Sequence, residues 1–180
     1  MKNNFSGGLL TSFILVAITV SLSGCLSYSF SGVSTSAKTV QVDQFFNNTD
    51  LGPANLSQTF TNKLKDYYQR NSSLKVVAQG GEIQLDGTLT TYSVTNIAPV
   101  ASAGDGATTQ SVAALSRLTI AVKANYIDNI VPANSFKDKT FSFYADFPNE
   151  KNLSDVQEDL EKKIFEQIML DIFNATIANW

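Results

Sequence analysis

From Leu118 to Tyr126 the chain alternates cleanly, with Leu118, Ile120, Val122, Ala124 and Tyr126 set against Arg117, Thr119, Lys123 and Asn125. A period of two builds a strand with one apolar and one wet face. A sheet of such strands must find a cover for its apolar side. The pattern recurs upstream, where Ile83, Leu85, Gly87, Leu89 and Thr91 face one way and Gln84, Asp86, Thr88 and Thr90 the other. At Tyr92 and Val94 the apolar residues change sides, which marks either a β-bulge or a place where the outer face meets something apolar. Phe141, Phe143, Ala145 and Phe147 form a further strand, interrupted by Pro148. Thr39 to Asp43 forms a short one that ends at Phe45 and Phe46.

The cover is supplied by two segments with helical spacing. After the turn cluster from Asn47 to Pro53, Leu56, Phe60, Leu64 and Tyr67 or Tyr68 recur every three to four residues, giving a helix with one apolar stripe to about Arg70. Near the C-terminus, Ser154 and Gln157 have capping-box spacing and open a helix that runs almost to the last residue. Val156, Leu160, Ile164, Ile168 and Ile172 form one stripe of it, and Phe165, Met169, Phe173 and Ile177 a second, so its apolar face is unusually wide. The segment from Ala98 to Ala114 is small-residue-rich, almost uncharged, and joins two strands as a long hairpin loop. The expected fold is α+β: a two-layer sandwich of two helices on one face of a four-stranded mixed sheet, in the order β-α-β-β-β-α. Residues 38–180 form this single domain.

The N-terminus has a different character. Lys2 precedes an uncharged apolar stretch from Leu9 to Leu22, shorter than the roughly 20 residues of a spanning helix. It reads as an export signal over residues 1–24. Leu22, Ser23, Gly24 and Cys25 resemble a bacterial lipobox, in which small residues before the cysteine admit the signal peptidase and the thiol receives lipid. Cys25 is the only cysteine of the chain, so an internal disulfide is excluded and a lipid anchor accounts for the thiol. Residues 25–37 then form a lipidated tether, small and polar from Ser31 to Ala37. The absence of Asp after Cys25 suggests, by likeness to bacterial sorting rules, passage to the outer membrane, with the protein held on the periplasmic side.

Composition narrows the function. With no histidine there is no Ser-His or Cys-His pair, no imidazole base and no His-ligated metal. Thirteen basic against 16 acidic residues, without long runs of one sign, give no footprint for a nucleic acid. The carboxylates Asp86, Asp128, Asp146 and Asp155 fall where turns and helix starts use them, and no nucleophile elbow or phosphate loop occurs. The chain reads as a non-enzyme, with no cofactor beyond the covalent lipid on Cys25.

Several blocks in order resemble the lipopolysaccharide-assembly lipoprotein family LptE in the form found in Bacteroidetes. They are Tyr28-Ser29-Phe30-Ser31-Gly32 after Cys25, Phe46-Asn47-Asn48, Gly87-Thr88-Leu89 with Tyr92-Ser93-Val94, and Arg117-Leu118-Thr119-Ile120 with Val122. The likeness continues through Phe141-Ser142, Tyr144-Ala145-Asp146-Phe147 and Asp171-Ile172-Phe173-Asn174 to Trp180. The resemblance implies two helices against a four-stranded sheet, a plug inside the LptD barrel that helps the barrel assemble, and lipopolysaccharide as a second partner. It implies lipopolysaccharide contacts by basic residues near the central hairpin loop and after the last strand, which here are Arg117 and Lys151. The alternative from the residues alone is another periplasm-facing lipoprotein, acting as a protein-binding module or transporter auxiliary.

Overall fold

A computed structural model describes residues 35–97 and 114–177. The expected signal segment, the lipobox residues Leu22, Ser23, Gly24 and Cys25, most of the tether, the bulk of the hairpin loop and Trp180 lie outside these residues. Strands β1 (Thr39–Val42) and β2 (Phe46–Asn47) precede helix α1 (Leu56–Asn71). Then come β3 (Lys75–Val77), β4 (Ile83–Ile97), β5 (Leu115–Asp128), β6 (Phe136–Pro148) and helix α2 (Leu153–Thr176). The sheet runs β3-β1-β4-β5-β6, with β2 also pairing β4. Strands β4, β5 and β6 form an antiparallel meander, while β1, β2 and β3 pair in parallel, so the sheet is mixed.

Both helices cover the same face. Val40, Ile83, Leu85, Leu89, Ile120 and Val122 of the sheet share one buried cluster with Phe60 and Leu64 of α1 and with Ile164, Phe165 and Ile168 of α2. Both stripes of α2 are needed because its ring and aliphatic positions face the sheet and α1 together. Phe60 meets Phe45 edge-on at 5.2 Å between ring centroids and Phe165 at 5.1 Å, which stitches β-layer, α1 and α2 through one row of rings. The Tyr68 hydroxyl and Thr176 Oγ1, 2.6 Å apart in the core, join the two helices at the far end.

The sheet has two more strands than expected. Between β1 and β2 the chain stays on the same edge of β4 but turns Phe45 into the core, where Thr61 Oγ1 accepts its N–H at 3.0 Å in place of a ladder bond. That detour splits the first strand in two. Strand β3 follows α1 as a three-residue edge held by β1, with Val40 opposite Val76. Its shortness hides it from any periodicity reading.

The slip near Tyr92 is a bulge, and it lies earlier, between Leu89 and Thr91. Leu89 is opposite Val122 and Thr91 opposite Ala121, so Thr90 is the extra residue and Thr91 stands on the outer face rather than with Leu89. A second irregularity comes between Ala124 and Tyr126, where β6 carries Asp138 at a positive φ of 54°. Strand β6 also starts at Phe136, five residues before the Phe141 with which the aromatic alternation opens. The start of α2 is corrected as well: Asn152 precedes the first helical residue, no side chain caps it, and Ser154 lies inside the helix with its hydroxyl toward Asp155.

Candidate functional site

The face of β4, β5 and β6 turned away from the helices has no covering layer among the described residues. Alternation places Gln84, Asp86, Thr88, Ser93 and Thr95 of β4 there, beside Arg117, Thr119, Lys123 and Asn125 of β5 and Thr140, Ser142, Tyr144 and Asp146 of β6. Short hydroxyl and amide side chains dominate. Such a surface can donate and accept hydrogen bonds over a broad area.

Two groups of its side chains, one at each end, are tied across strands. The Asn125 amide donates to Asp86 Oδ1 on β4 at 2.6 Å, and Asn125 Oδ1 accepts the Asp138 N–H on β6 at 2.8 Å. One side chain therefore bridges three strands. At the other end, Arg117 is opposite Asp146 and binds it through two parallel bonds, Nε to Oδ1 at 2.7 Å and an Nη to Oδ2 at 2.9 Å. Fork-to-fork pairing of this kind fixes orientation as well as charge. The guanidinium also lies 3.5 Å over the Tyr144 ring. Hydrogen bonding to Arg117 holds the Asp146 carboxyl below the ordinary carboxylate value, and the same bonds raise the Arg117 guanidinium.

Lys151 is exposed in the turn between β6 and α2, its backbone N–H bound to the Pro148 carbonyl at 3.0 Å. It stands at the same end of the sheet as Arg117, since Asn149 bonds back to Ala114 beside the start of β5. Both cations thus border the mouth of the 98–113 segment. Arg117 has its fork filled by Asp146, whereas Lys151 has no such partner among the described side-chain bonds. The partners of Arg117 could not be found from local pattern: Asp146 lies 29 residues away and meets it only through the β5–β6 register.

The other carboxylates stay structural. Asp128 is buried and accepts the N–H groups of Ile130 and Val131, both at 2.8 Å, so it builds the β5–β6 turn. Asp155 lies in the first turn of α2, where a negative charge suits the helix dipole. Asp86 is fixed by Asn125. No cluster of three acidic, cysteine or histidine residues suited to a metal occurs among the described residues. No helix among them is long and apolar enough to cross a membrane.

A family profile described as LptE, Lipopolysaccharide-assembly, matches residues 37–176. No curated protein matches the chain. Among solved structures, the hypothetical protein CT253 from Chlamydia trachomatis superposes with a TM-score of 0.53 at 10% identity, over 79% of this chain and 99% of that one. It shares the fold. A minor lipoprotein from Acinetobacter baumannii gives a TM-score of 0.44 at 11% identity over 76% of this chain and 89% of its own. An uncharacterized lipoprotein B from Nitrosomonas europaea gives 0.44 at 14% identity, over 76% and 79%. These last two likenesses are too loose to add to the argument.

Proposed function

Because the chain belongs to the LptE lipopolysaccharide-assembly family, we propose that it seats its domain as a plug in the lumen of the LptD barrel and helps that barrel assemble. The family works with LptD and lipopolysaccharide as a non-enzymatic accessory of the outer membrane. In this reading residues 1–24 are removed, Cys25 carries the lipid, and residues 25–37 tether the domain to the periplasmic side of the membrane. One observation supports the plug: the sheet face opposite the helices is broad and polar, and cross-strand bonds of Asn125 and Arg117 fix side chains at its two ends. A barrel lumen is lined by polar side chains. A hydrogen-bonding wall of Thr, Ser, Asn and Gln matches it without the desolvation cost that free charges would bring.

Lys151 is the residue we assign to lipopolysaccharide phosphates, since its ammonium is exposed at the loop end of the sheet. Arg117, at the same end, serves first as the strut that holds Asp146 and Tyr144, and reaches a phosphate only by exchanging it for Asp146. Gentle detergent extraction followed by identification of co-purifying proteins tests the reading. LptD should accompany the wild-type protein and be lost from Thr119→Trp, which sets a large ring in the middle of the polar face. A monodisperse lipoprotein free of any barrel would overturn it.

A further inference from the structure

One end of the sheet is unlike the rest of the surface. Ile127 at the end of β5, and Ile130 and Val131 in the turn that follows it, are 45%, 45% and 42% exposed within a span of five residues. The turn is not a loose loop. The buried Asp128 carboxylate accepts the N–H groups of Ile130 and Val131, the Asp128 N–H is bound by Ser135 Oγ at 2.9 Å, and Pro132–Asn134 closes one helical turn beneath them. The buried Asp128 side chain thus fixes the backbone of Ile130 and Val131, while strand alternation opposite Gln84 turns Ile127 outward, so the three expose apolar area that a free turn could fold away.

The same end is where the chain enters the fold. Val40 of β1 is opposite Ile83, Ile83 is opposite Asp128, and the Asn129 N–H bonds to the Glu82 carbonyl. Thr35 and Ser36 line one crevice with Asp128, Val131 and Asn134. The chain leading back toward Cys25 therefore leaves the domain against Val131. From Thr35 to Cys25 it can reach at most about 35 Å, even fully extended.

We infer that in the barrel-free lipoprotein this turn is a bilayer contact, with Ile127, Ile130 and Val131 seated in the interface of the leaflet that holds the Cys25 lipid. The inference rests on the lipid anchor proposed above but not on the plug. A short tether ending beside the patch keeps it near the bilayer at high effective concentration, so a small apolar area suffices. Charge contributes little, because Lys38, Lys75, Lys137 and Lys139 near this end are matched in number by Glu82, Asp86, Asp128 and Asp138. The contact is therefore apolar and nearly independent of salt.

Cys25 is consumed by its lipid, so a cysteine introduced at Val131 is the one thiol open to a nitroxide label. The full lipoprotein carrying Val131→Cys is reconstituted in vesicles of phosphatidylethanolamine and phosphatidylglycerol, floated, and its label read by collision with oxygen and with a water-soluble nickel chelate. Leu51→Cys is the comparison: Leu51 is 71% exposed and lies near Gly52, whose space borders Tyr92 far along β4. The expected result is a shift toward oxygen at residue 131 alone, unchanged between low and high salt. Equal nickel access at both positions in floated protein overturns the bilayer contact, and spin–spin broadening at residue 131 replaces it with a second copy of the chain. Protein that does not float shows instead that the anchor itself is wrong.

Discussion

Phe45 occupies the space that a side chain on Gly87 would need. A Cβ built on Gly87 would fall 2.5 Å from Phe45 Cε1 and 2.3 Å from the Lys123 carbonyl oxygen. The glycine in the middle of β4 is thus the socket for the ring that breaks the first strand. Gly87→Ala should cost about 2–3 kcal/mol through overpacking against a rigid ring and backbone. Phe45→Ala, which empties the socket, should cost about 3–5 kcal/mol. If the ring is the obstacle, Gly87→Ala in a Phe45→Leu background will be less harmful than alone. Denaturant titration of these variants, with Phe45→Leu alone as the reference for the double, reads the difference.

The Tyr68–Thr176 pair predicts an asymmetry. Thr176 Oγ1 also reaches the Ile172 and Phe173 carbonyls, at 2.9 and 3.0 Å, whereas among the described residues no other side-chain bond serves the Tyr68 hydroxyl. Tyr68→Phe leaves Thr176 satisfied and should cost about 0.5–1.5 kcal/mol. Thr176→Val strands a buried hydroxyl and should cost more, about 1–3 kcal/mol. The double variant should be more stable than Thr176→Val alone, a sign that only the stranded hydroxyl explains.

Local periodicity made most of this fold legible, because the apolar alternation in β4, β5 and β6 and the stripes of α1 and α2 are properties of neighbouring residues. Strands β2 and β3 escaped because they exist only through distant partners, Phe46 with Thr88 and Val76 with Val40. Threonine at residues 90 and 91 obscured the bulge, since it suits either face of a sheet equally well. Ser154 and Gln157 have the spacing of a capping box, yet the turn from Pro148 to Lys151 starts the helix earlier, at Leu153. For the candidate site, the wet face could be read from the outward polar residues. The ties that organise it could not, because Asn125 with Asp86 and Arg117 with Asp146 depend on strand register.

The Arg117–Asp146 pair has a definite acid dependence. Its bonds hold the Asp146 carboxyl below the ordinary value of 3.8, so the folded state gains from the ionised form. That gain is present above the ordinary value and disappears as pH falls through the depressed one. Asp146→Asn should lower Tm slightly at pH 7, as expected of a half-exposed pair. The gap to wild type should close as acid protonates Asp146. Arg117→Lys, which keeps the charge but loses the fork, should recover little of it.

Alkali should act more strongly than acid, through the buried tyrosines. Burial pushes the Tyr68, Tyr92 and Tyr126 hydroxyls well above the ordinary value of 10.0, with Glu161 adding to the effect at Tyr92 and Asp128 at Tyr126. Above that ordinary value the unfolded chain releases these protons while the folded chain keeps them, so stability falls as pH rises. Each such tyrosine contributes up to about 1.4 kcal/mol per pH unit to the slope, reached only where the unfolded tyrosine is fully ionised. Tyr92→Phe removes one of the three and should flatten the alkaline limb by roughly a third of their joint effect. It also releases Glu161, which retains its bond from Gln157 at 2.8 Å, so the loss at neutral pH stays small. Thermal melts from pH 9 to 11 on the two proteins measure the slopes, and parallel limbs would show that Tyr92 ionises in the fold as freely as in the unfolded chain.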